Sequence, residues 1–392
     1  MLGCNTSPLL HGCCLLLVLA GIAGHTGEKQ VENQMVGKWV PPGYSDVQRQ
    51  LEVATDLSKK YWYYLTCRLW HENCEREDSR SPQGWSLPLV GQEYLEILAN
   101  WYCSIRTCCE MGDCRISNNI TGLKQDLSRK LHGQHLAHEV VLRAVQSFLQ
   151  TQQPEKALTL SFHGWSGTGK NFVARLMAEN LYRDGMKSEC VRIFISQLHF
   201  PHSSYVDHYK LQLKKQLSET ASHCKQPLFI FDEAEKLHLD LVDTLKPYVD
   251  HYDGAGEDYR RSIFLFLSNI GSSAINEVAW NFWRANRPRG EITLEDLERP
   301  LRAEMSSATG SGFAHSQLFT SGLVDFIVPF LPLEYGHVKL CARDVFTSQG
   351  LPYTQEMLDE VASMMVFVPK EERLFSAQGC KSVSQRINYF LP

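Results

Sequence analysis

The pattern of apolar and polar positions changes once along the chain, near residue 124. Before it, apolar residues recur every three to four positions from Ser45 to Trp70, which predicts a helix. After it, helical stretches alternate with short β-rich apolar runs at Leu158–His163, Cys190–Ile195, Pro227–Phe231 and Ile263–Leu267. Strands that alternate with helices predict a parallel sheet covered on both faces, and the segment after Phe330 is predicted to be mostly helical.

The first residues predict a secretory signal. The apolar run Cys13–Ile22 is too short to span a bilayer as a helix, but it suits the core of a signal peptide at residues 1–23, cleaved after Ala23. A buried N-terminal helix is the alternative. The tripeptide Asn119-Ile120-Thr121 is a sequon and predicts a glycan on Asn119. Both features favour a protein of the secretory pathway, soluble after cleavage.

Composition excludes a dedicated nucleic-acid binder, because 44 Asp and Glu outweigh 39 Lys and Arg. Thirteen cysteines are the unusual feature. A cluster of them lies in the N-terminal extension, at Cys67, Cys74, Cys103, Cys108, Cys109 and Cys114. In an oxidising compartment this cluster predicts disulfides, whose pairing the sequence leaves open. Zinc is the alternative, although the cluster contains no Cys-x-x-Cys pair.

A phosphate-binding loop follows the first apolar run. Its residues are Gly164, Trp165, Ser166, Gly167, Thr168, Gly169, Lys170 and Asn171, with the spacing G-x-x-x-x-G-K between a predicted strand and a predicted helix. This context predicts ATP binding, with Lys170 on the β- and γ-phosphates. Asn171 replaces the usual Ser or Thr that coordinates Mg²⁺, so its amide would hold the ion directly or through water. A degraded site that binds nucleotide and hydrolyses it poorly is the alternative.

Two further polar groups follow predicted strands. Leu228–Phe231 leads into Asp232 and Glu233, which predicts that Asp232 holds Mg²⁺ and that Glu233 activates water as general base. The alternative is a pair of acids in an ordinary turn. Asn269 follows the run Ile263–Leu267 and is predicted to orient the attacking water, although such an Asn is usually a turn residue.

These motifs together resemble the torsin family of AAA+ ATPases, in the Clp/HSP100-like branch. The resemblance runs from about residue 124 to 386, and the cysteine-rich extension is most similar to the torsin-3 members. Further matching stretches are Phe231–Lys236, Leu267–Asn269, Leu198–His202, Val328–Tyr335 and Gly379–Lys381. The resemblance implies an α/β fold: a three-layer P-loop large domain with a parallel sheet at residues 123–325, a helical lid at 326–392 and an extension at 24–122.

The resemblance also implies roles that the residues alone do not. Asn171 at this place of the loop is typical of the family and does not indicate a degraded site. Lys381 becomes the sensor-2 cation, which reaches the γ-phosphate from the lid. Cys341 and Cys380 match a pair suspected of redox sensing, with a permanent disulfide or two free thiols as alternatives. Leu131–Ala137 is similar to the segment that clamps the adenine.

One catalytic part is missing from the sequence. We find no convincing arginine finger, because Arg284, Arg287 and Arg289 lie in a basic segment with Pro and Gly that is predicted to be a surface loop. The family resemblance implies that the luminal domain of lamina-associated polypeptide 1, or of its endoplasmic reticulum relative, supplies the arginine. No aromatic-Gly pore motif occurs near Leu198–Tyr205, which argues against processive unfolding.

The sequence therefore predicts an activator-dependent ATPase that uses ATP and Mg²⁺ in the endoplasmic reticulum lumen and the perinuclear space. It would remodel protein or membrane-associated complexes, contact membranes only indirectly, and self-associate or form mixed rings. The main alternative is an ATP-gated binding module with little hydrolysis. A small-molecule kinase fits poorly, because there is no Arg-rich lid for an acceptor.

Overall fold

The computed structural model describes residues 113–250, 258–308 and 310–388. The predicted signal peptide, the helix at Ser45–Trp70 and the cysteine cluster up to Cys109 lie outside the described residues and stay predictions. Elements are numbered within the described part of the chain.

A five-stranded sheet forms the centre of the described structure. All of its neighbouring strands run parallel, in the order β2-β3-β4-β1-β5. The strands are β1 (Leu158–Gly164), β2 (Val191–Ile195), β3 (Leu228–Asp232), β4 (Ile263–Ser268) and β5 (Phe326–Phe330). Because β1 lies between β4 and β5, the chain reverses its direction of winding at β1, where open α/β sheets bind their ligands.

Helices cover both faces of this sheet and continue beyond it. Short 3₁₀ turns at Gly185–Lys187, Ser203–Tyr205, Ala234–Lys236 and Arg289–Glu291 connect them. The helices before β5 are α1 (Ile120–Lys130), α2 (His135–Gln150), α3 (Lys170–Leu181), α4 (Ser196–His199), α5 (Val206–His223), α6 (Leu239–Asp243), α7 (Lys246–Val249), α8 (Ser272–Arg284), α9 (Leu294–Ser307), α10 (Gly312–His315) and α11 (Gln317–Thr320). After β5 come α12 (Tyr335–Ser348), α13 (Gln355–Ser363) and α14 (Val383–Ile387).

The two faces of the sheet carry different side chains. Along β3 and β4 aliphatic residues alternate with phenylalanines, because successive side chains of a strand point to opposite faces. The aliphatic face packs against α1, α2 and α3. The phenylalanine face packs against α5, α8 and α9 and forms a row in which Phe231 lies 4.9 Å from Phe194 and 5.1 Å from Phe266, between ring centroids. This two-sided core confirms the predicted parallel sheet covered on both faces.

The sheet extends further along the chain than the sequence suggested. β5 pairs with β1 from Leu160↔Phe326 to Gly164↔Phe330, so residues 326–330 belong to the sheet and not to the lid. Its sequence contains Pro329, which lacks the N–H of a central strand and argues against a strand assignment. At the edge of the sheet that missing donor is tolerated.

A small C-terminal unit follows β5 and has its own core. α12, α13 and α14 pack around Val338, Phe346, Val361 and Ile387, all at most 1% exposed. A short antiparallel pair, β6 (Phe367–Val368) with β7 (Phe375–Ser376), joins α13 to α14. The predicted helical C-terminal domain is therefore confirmed, with this added pair of strands.

One disulfide of the sheet domain was not predicted from the sequence. Cys190 and Cys224 precede β2 and β3, and their Sγ atoms are joined. Both side chains are buried beside Asp113, whose carboxylate is bound in a two-pronged ion pair by Arg115. Arg115 also donates to the carbonyl of His223 at the end of α5. These contacts fasten the first described residues to the two adjacent strands.

No helix in the described ranges is long and apolar enough to cross a membrane.

Removing the Cys190–Cys224 bridge should destabilise the sheet domain. The bridge closes a loop with a sequence separation of 34. Loop-closure entropy then predicts that the double variant C190A/C224A loses about 3–4 kcal/mol of unfolding free energy. Urea titration under oxidising conditions measures the difference. In reducing buffer the wild-type protein loses the same bridge, so the two proteins should become nearly equal; equal stability already under oxidising conditions would contradict the prediction.

Candidate active site

The phosphate-binding loop lies between β1 and α3, as predicted. Gly167 and Gly169 have φ of 75° and 116°, in the region that L side chains rarely adopt. The Thr168 hydroxyl donates to the Trp165 carbonyl (2.8 Å) and stabilises the loop from inside. α3 begins at Lys170, so its free N–H groups face the loop, an arrangement that suits an anion.

The ammonium group of Lys170 is buried inside this loop. It donates to the carbonyls of Gly164 (2.6 Å) and Trp165 (2.9 Å) and to Oδ1 of Asn269 (3.0 Å). Only 7% of Lys170 is exposed, and this burial lowers its pKa to about 8. The Lys170 ammonium is therefore already at the loop when a phosphate binds. It can exchange its present oxygen partners for phosphate oxygens.

Asn171 and Asp232 lie in contact across the site. Nδ2 of Asn171 donates to Oδ2 of Asp232 at 2.7 Å, and Oδ1 of Asp232 accepts the N–H of Glu233 at 2.9 Å. The backbone turns sharply after Asp232, with φ of 56° at Glu233. The hydroxyl of Ser196, the first residue of α4 directly after β2, lies 2.9 Å from the backbone carbonyl of each acid and donates to them.

Glu233 points to a different neighbour from Asp232. Its carboxylate forms an ion pair with the ammonium of Lys236 at 3.0 Å. It is half-buried, with 31% of its side chain exposed. The predicted general base is therefore at the edge of the site and held by a cation of its own turn.

Asn269 is held from both sides. Its Oδ1 accepts from Lys170, and its Nδ2 donates to Oε1 of Glu235 (2.9 Å). The Asn269 N–H also points to Oε2 of Glu235 (3.3 Å). The sequence analysis assigned no role to Glu235. Its signals were its place as the second acid after β3 and its position in the matching stretch Phe231–Lys236, neither of which indicates its partner.

The lid loop touches the phosphate-binding loop directly. The Cys380 N–H donates to the Gly167 carbonyl at 3.1 Å, and a Cβ on Gly167 would lie 1.9 Å from the carbonyl oxygen of Gln378. Only glycine fits there. Lys381 is exposed next to this contact and lies close enough to Lys170 to lower that residue's pKa slightly. The predicted sensor-2 residue therefore lies beside the phosphate-binding loop.

The segment predicted to clamp the adenine is anchored by a buried amide. Gln134 is 2% exposed and bonds three backbone groups: it donates to the carbonyls of Thr168 (2.9 Å) and Leu331 (2.8 Å) and accepts the Leu331 N–H (2.8 Å). It therefore joins the start of α2 to the phosphate-binding loop and to the segment after β5.

Arg289 lies in an exposed segment, as the sequence predicted, but its side chain is turned inward. Its guanidinium donates to the carbonyls of Gly133 (2.7 Å) and Pro332 (2.6 Å) and pairs with Glu334 (3.3 Å). Its side chain is 14% exposed. Pro and Gly around it favour a loop locally, but these long-range partners bury the side chain. Arg284 ends α8 and does not lie in a loop, contrary to the prediction.

Two cysteine sites lie in the described residues, and the sequence predicted one of them. Cys341 on α12 and Cys380 are joined in a disulfide, with 6.2 Å between their Cα atoms; a redox role for it stays a prediction. Asp113, Cys190 and Cys224 bring three ligand atoms within 4.8 Å of one another. Because the two cysteines are already bonded to each other, they offer no thiolates to a metal.

Comparison with known proteins decides the family. A family model described as Torsin matches residues 103–231, and one described as Torsin-1A, C-terminal domain, matches residues 333–390. Torsin-3A of Homo sapiens is 56% identical over 357 residues, covering 90% of each chain. Torsin-3A of Rattus norvegicus is 52% identical (95% of each chain), and that of Mus musculus 55% (90% of this chain and 92% of the relative).

The chain belongs to the torsin family.

Solved structures with a similar fold include the S. cerevisiae Hsp104–ADP complex, at a TM-score of 0.49 and 19% identity. The match covers 69% of this torsin and 46% of the Hsp104 chain, so this torsin spans less than half of Hsp104. Family membership makes the large domain an AAA+ domain of the ATPase type and agrees with the predicted fold.

Nucleotide affinity should fall as the pH rises above about 8. Burial lowers the pKa of Lys170 to about 8, and bound phosphate favours the charged form. Above that pKa Lys170 of the free protein must take up a proton when ATP binds, so the Kd for ATP should rise by about tenfold per pH unit. Between pH 7 and 7.5 the Kd should be nearly constant. Titration with a fluorescent ATP analogue from pH 7 to 9.5 measures this dependence.

The variant K170R is the matched control. Its guanidinium stays charged throughout this pH range, so its weaker binding should not change with pH in this way. The same slope in both proteins would assign the effect to another group.

Proposed function

We propose that the chain is a Mg²⁺-dependent ATPase of the endoplasmic reticulum lumen and perinuclear space, which couples ATP binding and hydrolysis to the remodelling of protein or membrane-associated complexes. The observation that carries the proposal is the bonded set at the carboxyl ends of β1, β3 and β4. There Lys170 contacts Asn269, and Asn171 contacts Asp232. A cation, an acid and two amides meet where a γ-phosphate and its ion would lie.

The donor atoms at this edge fit Mg²⁺ with ATP. Carboxylate and amide oxygens are the protein ligands that Mg²⁺ prefers, usually with water completing its shell. Asp232 supplies a carboxylate and Asn171 an amide oxygen, and the two side chains are adjacent because Nδ2 of Asn171 donates to Oδ2 of Asp232 at 2.7 Å. The ion would neutralise charge on the phosphates. The phosphates themselves would lie on the amides of Gly164–Asn171, with Lys381 approaching from the lid.

Each residue of the site then has a separate role in hydrolysis. Lys170 exchanges its loop carbonyls for β- and γ-phosphate oxygens. Glu233 takes the proton of the attacking water, which requires that its carboxylate leave Lys236. Asn269 orients that water or a γ-phosphate oxygen with the N–H of Nδ2 that Glu235 does not use.

The arginine finger is proposed to come from a membrane-anchored activator, the luminal domain of lamina-associated polypeptide 1 or its endoplasmic reticulum relative. Two arginines of this chain are already engaged: Arg289 in the buried contacts above, and Arg287 with Glu291 (3.2 Å) and over the ring of Phe282 (4.0 Å). Arg284 is exposed at the end of α8, and we find no ion pair between it and another described residue. Arg284 is therefore the residue of this chain to test as an alternative source of the arginine finger.

The compartment is proposed from the sequence and supported by two local features. Asn119 is exposed at the start of α1, and it caps that helix through its Oδ1, which accepts the Gly122 N–H at 2.8 Å. Nδ2, the atom that carries a glycan, is not needed for this cap. The disulfides Cys190–Cys224 and Cys341–Cys380 are typical of an oxidising lumen.

An ATP-gated binding module is the second candidate. The ion pair between Glu233 and Lys236 favours it, because the carboxylate must leave Lys236 before it can reach an attacking water. ATP would then set the angle of the lid through Lys381, and hydrolysis would be incidental.

Steady-state ATP hydrolysis decides between the two. We expect the mature chain alone to turn over slowly and the luminal domain of the activator to raise kcat by about 10³-fold, because an arginine finger contributes at least this much. The variant E233Q should lose about 10²-fold or more of the stimulated rate while still binding ATP. Background rates in both proteins, with ATP bound, would favour the binding module.

The variant R284A is the control for the source of the arginine. If the finger comes from the activator, R284A should keep the stimulated rate. If strong turnover by the chain alone is lost in R284A, the arginine is internal and the activator proposal fails.

A further inference from the structure

Glu235 is an acid at the site edge to which the proposed mechanism gives no role of its own. It lies in the 3₁₀ turn Ala234–Lys236 directly after β3 and is half-buried. Its two carboxylate oxygens face one residue: Oε1 accepts from Nδ2 of Asn269 (2.9 Å), and Oε2 faces the Asn269 N–H (3.3 Å). The turn after β3 is thereby joined to the end of β4 through the side chain and backbone of Asn269.

This contact determines how the amide of Asn269 is oriented. Glu235 is an acceptor only, and the Lys170 ammonium is a donor only. Turning the amide by 180° would place Oδ1 against the carboxylate and Nδ2 against the ammonium, which would replace two charge-assisted hydrogen bonds with two repulsive contacts. Without Glu235 only the Lys170 contact would select the orientation.

The consequence concerns the proposed reaction. When phosphates take Lys170 away from Asn269, Glu235 remains as the partner that keeps Nδ2 of Asn269 in place. We propose that Glu235 is a positioning residue, which holds the Asn269 amide so that its second N–H faces the water or the γ-phosphate. This inference rests on the proposed ATPase function and deepens it.

Glu235 has a different contact from the two acids that precede it in the sequence. Asp232 contacts Asn171, and Glu233 contacts Lys236. Both oxygens of Glu235 instead face Asn269, so each of the three acids has a different partner. The charged groups around Lys170 are Asp232 on β3, Glu235 on the turn and Lys381 on the lid, with His163 on β1 buried beside them.

A double-mutant cycle tests the proposal, using full-length protein with the luminal activator. N269A should lower kcat by about 10²-fold, the usual effect of removing one stabilising donor. E235A should lower kcat by about 10-fold or more while Kd for ATP changes by less than about threefold. If Glu235 acts only through Asn269, E235A/N269A should be no slower than N269A alone.

The variant E304A is the matched structural control. Glu304 accepts the N–H groups of Gly271 (3.1 Å) and Ala274 (2.6 Å), so it fastens the same segment after β4 without touching the Asn269 side chain. If Glu235 has only a structural role, E304A and E235A should reduce kcat equally when they lower the melting temperature equally. E235Q keeps one acceptor for Nδ2 and should recover part of the lost kcat.

A second measurement does not depend on hydrolysis. The measurement is an NMR spectrum of protein labelled with ¹⁵N-asparagine. The side-chain NH₂ signal of Asn269 is identified as the signal that is lost in N269A. E235A should shift that signal and speed its exchange with water, whereas E304A should not. Unchanged kcat or an unchanged NH₂ signal in E235A overturns the inference. If the wild-type protein with activator does not hydrolyse ATP, the proposed function fails, and the NH₂ signal alone then decides the inference.

Discussion

A single buried ammonium group organises the nucleotide edge of this torsin. Burying a cation costs several kcal/mol unless oxygens surround it. Lys170 is 7% exposed, and its three hydrogen bonds go to Gly164, Trp165 and Asn269. The loop must therefore turn its carbonyls inward, and Asn269 must present oxygen rather than nitrogen. That orientation is favoured because Glu235 accepts from the other side of the amide.

The same loop couples the site to the helical lid. Gly167 accepts the Cys380 N–H, and no side chain larger than hydrogen fits at residue 167 against Gln378. Gln134 bonds the chain just after β5, and Arg289 bridges the carbonyls of Gly133, before β1, and Pro332, after β5. Because the Cys380–Gly167 bond joins the lid directly to the phosphate-binding loop, the lid cannot rotate away from the loop without breaking it.

The sequence predicted what local patterns determine. Apolar periodicity located four strands, and the loop Gly164–Asn171 lies where its spacing required. Three features depended on long-range contacts and were missed. The strand at Phe326–Phe330 contains Pro329, which only an edge position tolerates. Arg289 is buried by partners 43 and 156 residues away. The pairing of Cys190 with Cys224 has no local signal, because it depends on β2 lying beside β3.

Three carboxylates within four residues would repel one another if they pointed into one site. The backbone prevents this with a left-handed turn at Glu233, where φ is 56°. Such a conformation costs a non-glycine residue about 1–2 kcal/mol, which the surrounding bonds must offset. Asp232 then faces Asn171, Glu233 faces Lys236 and Glu235 faces Asn269. Glycine at residue 233 would relieve the turn but remove the proposed base, so the strain lies at the residue for which we propose a chemical role.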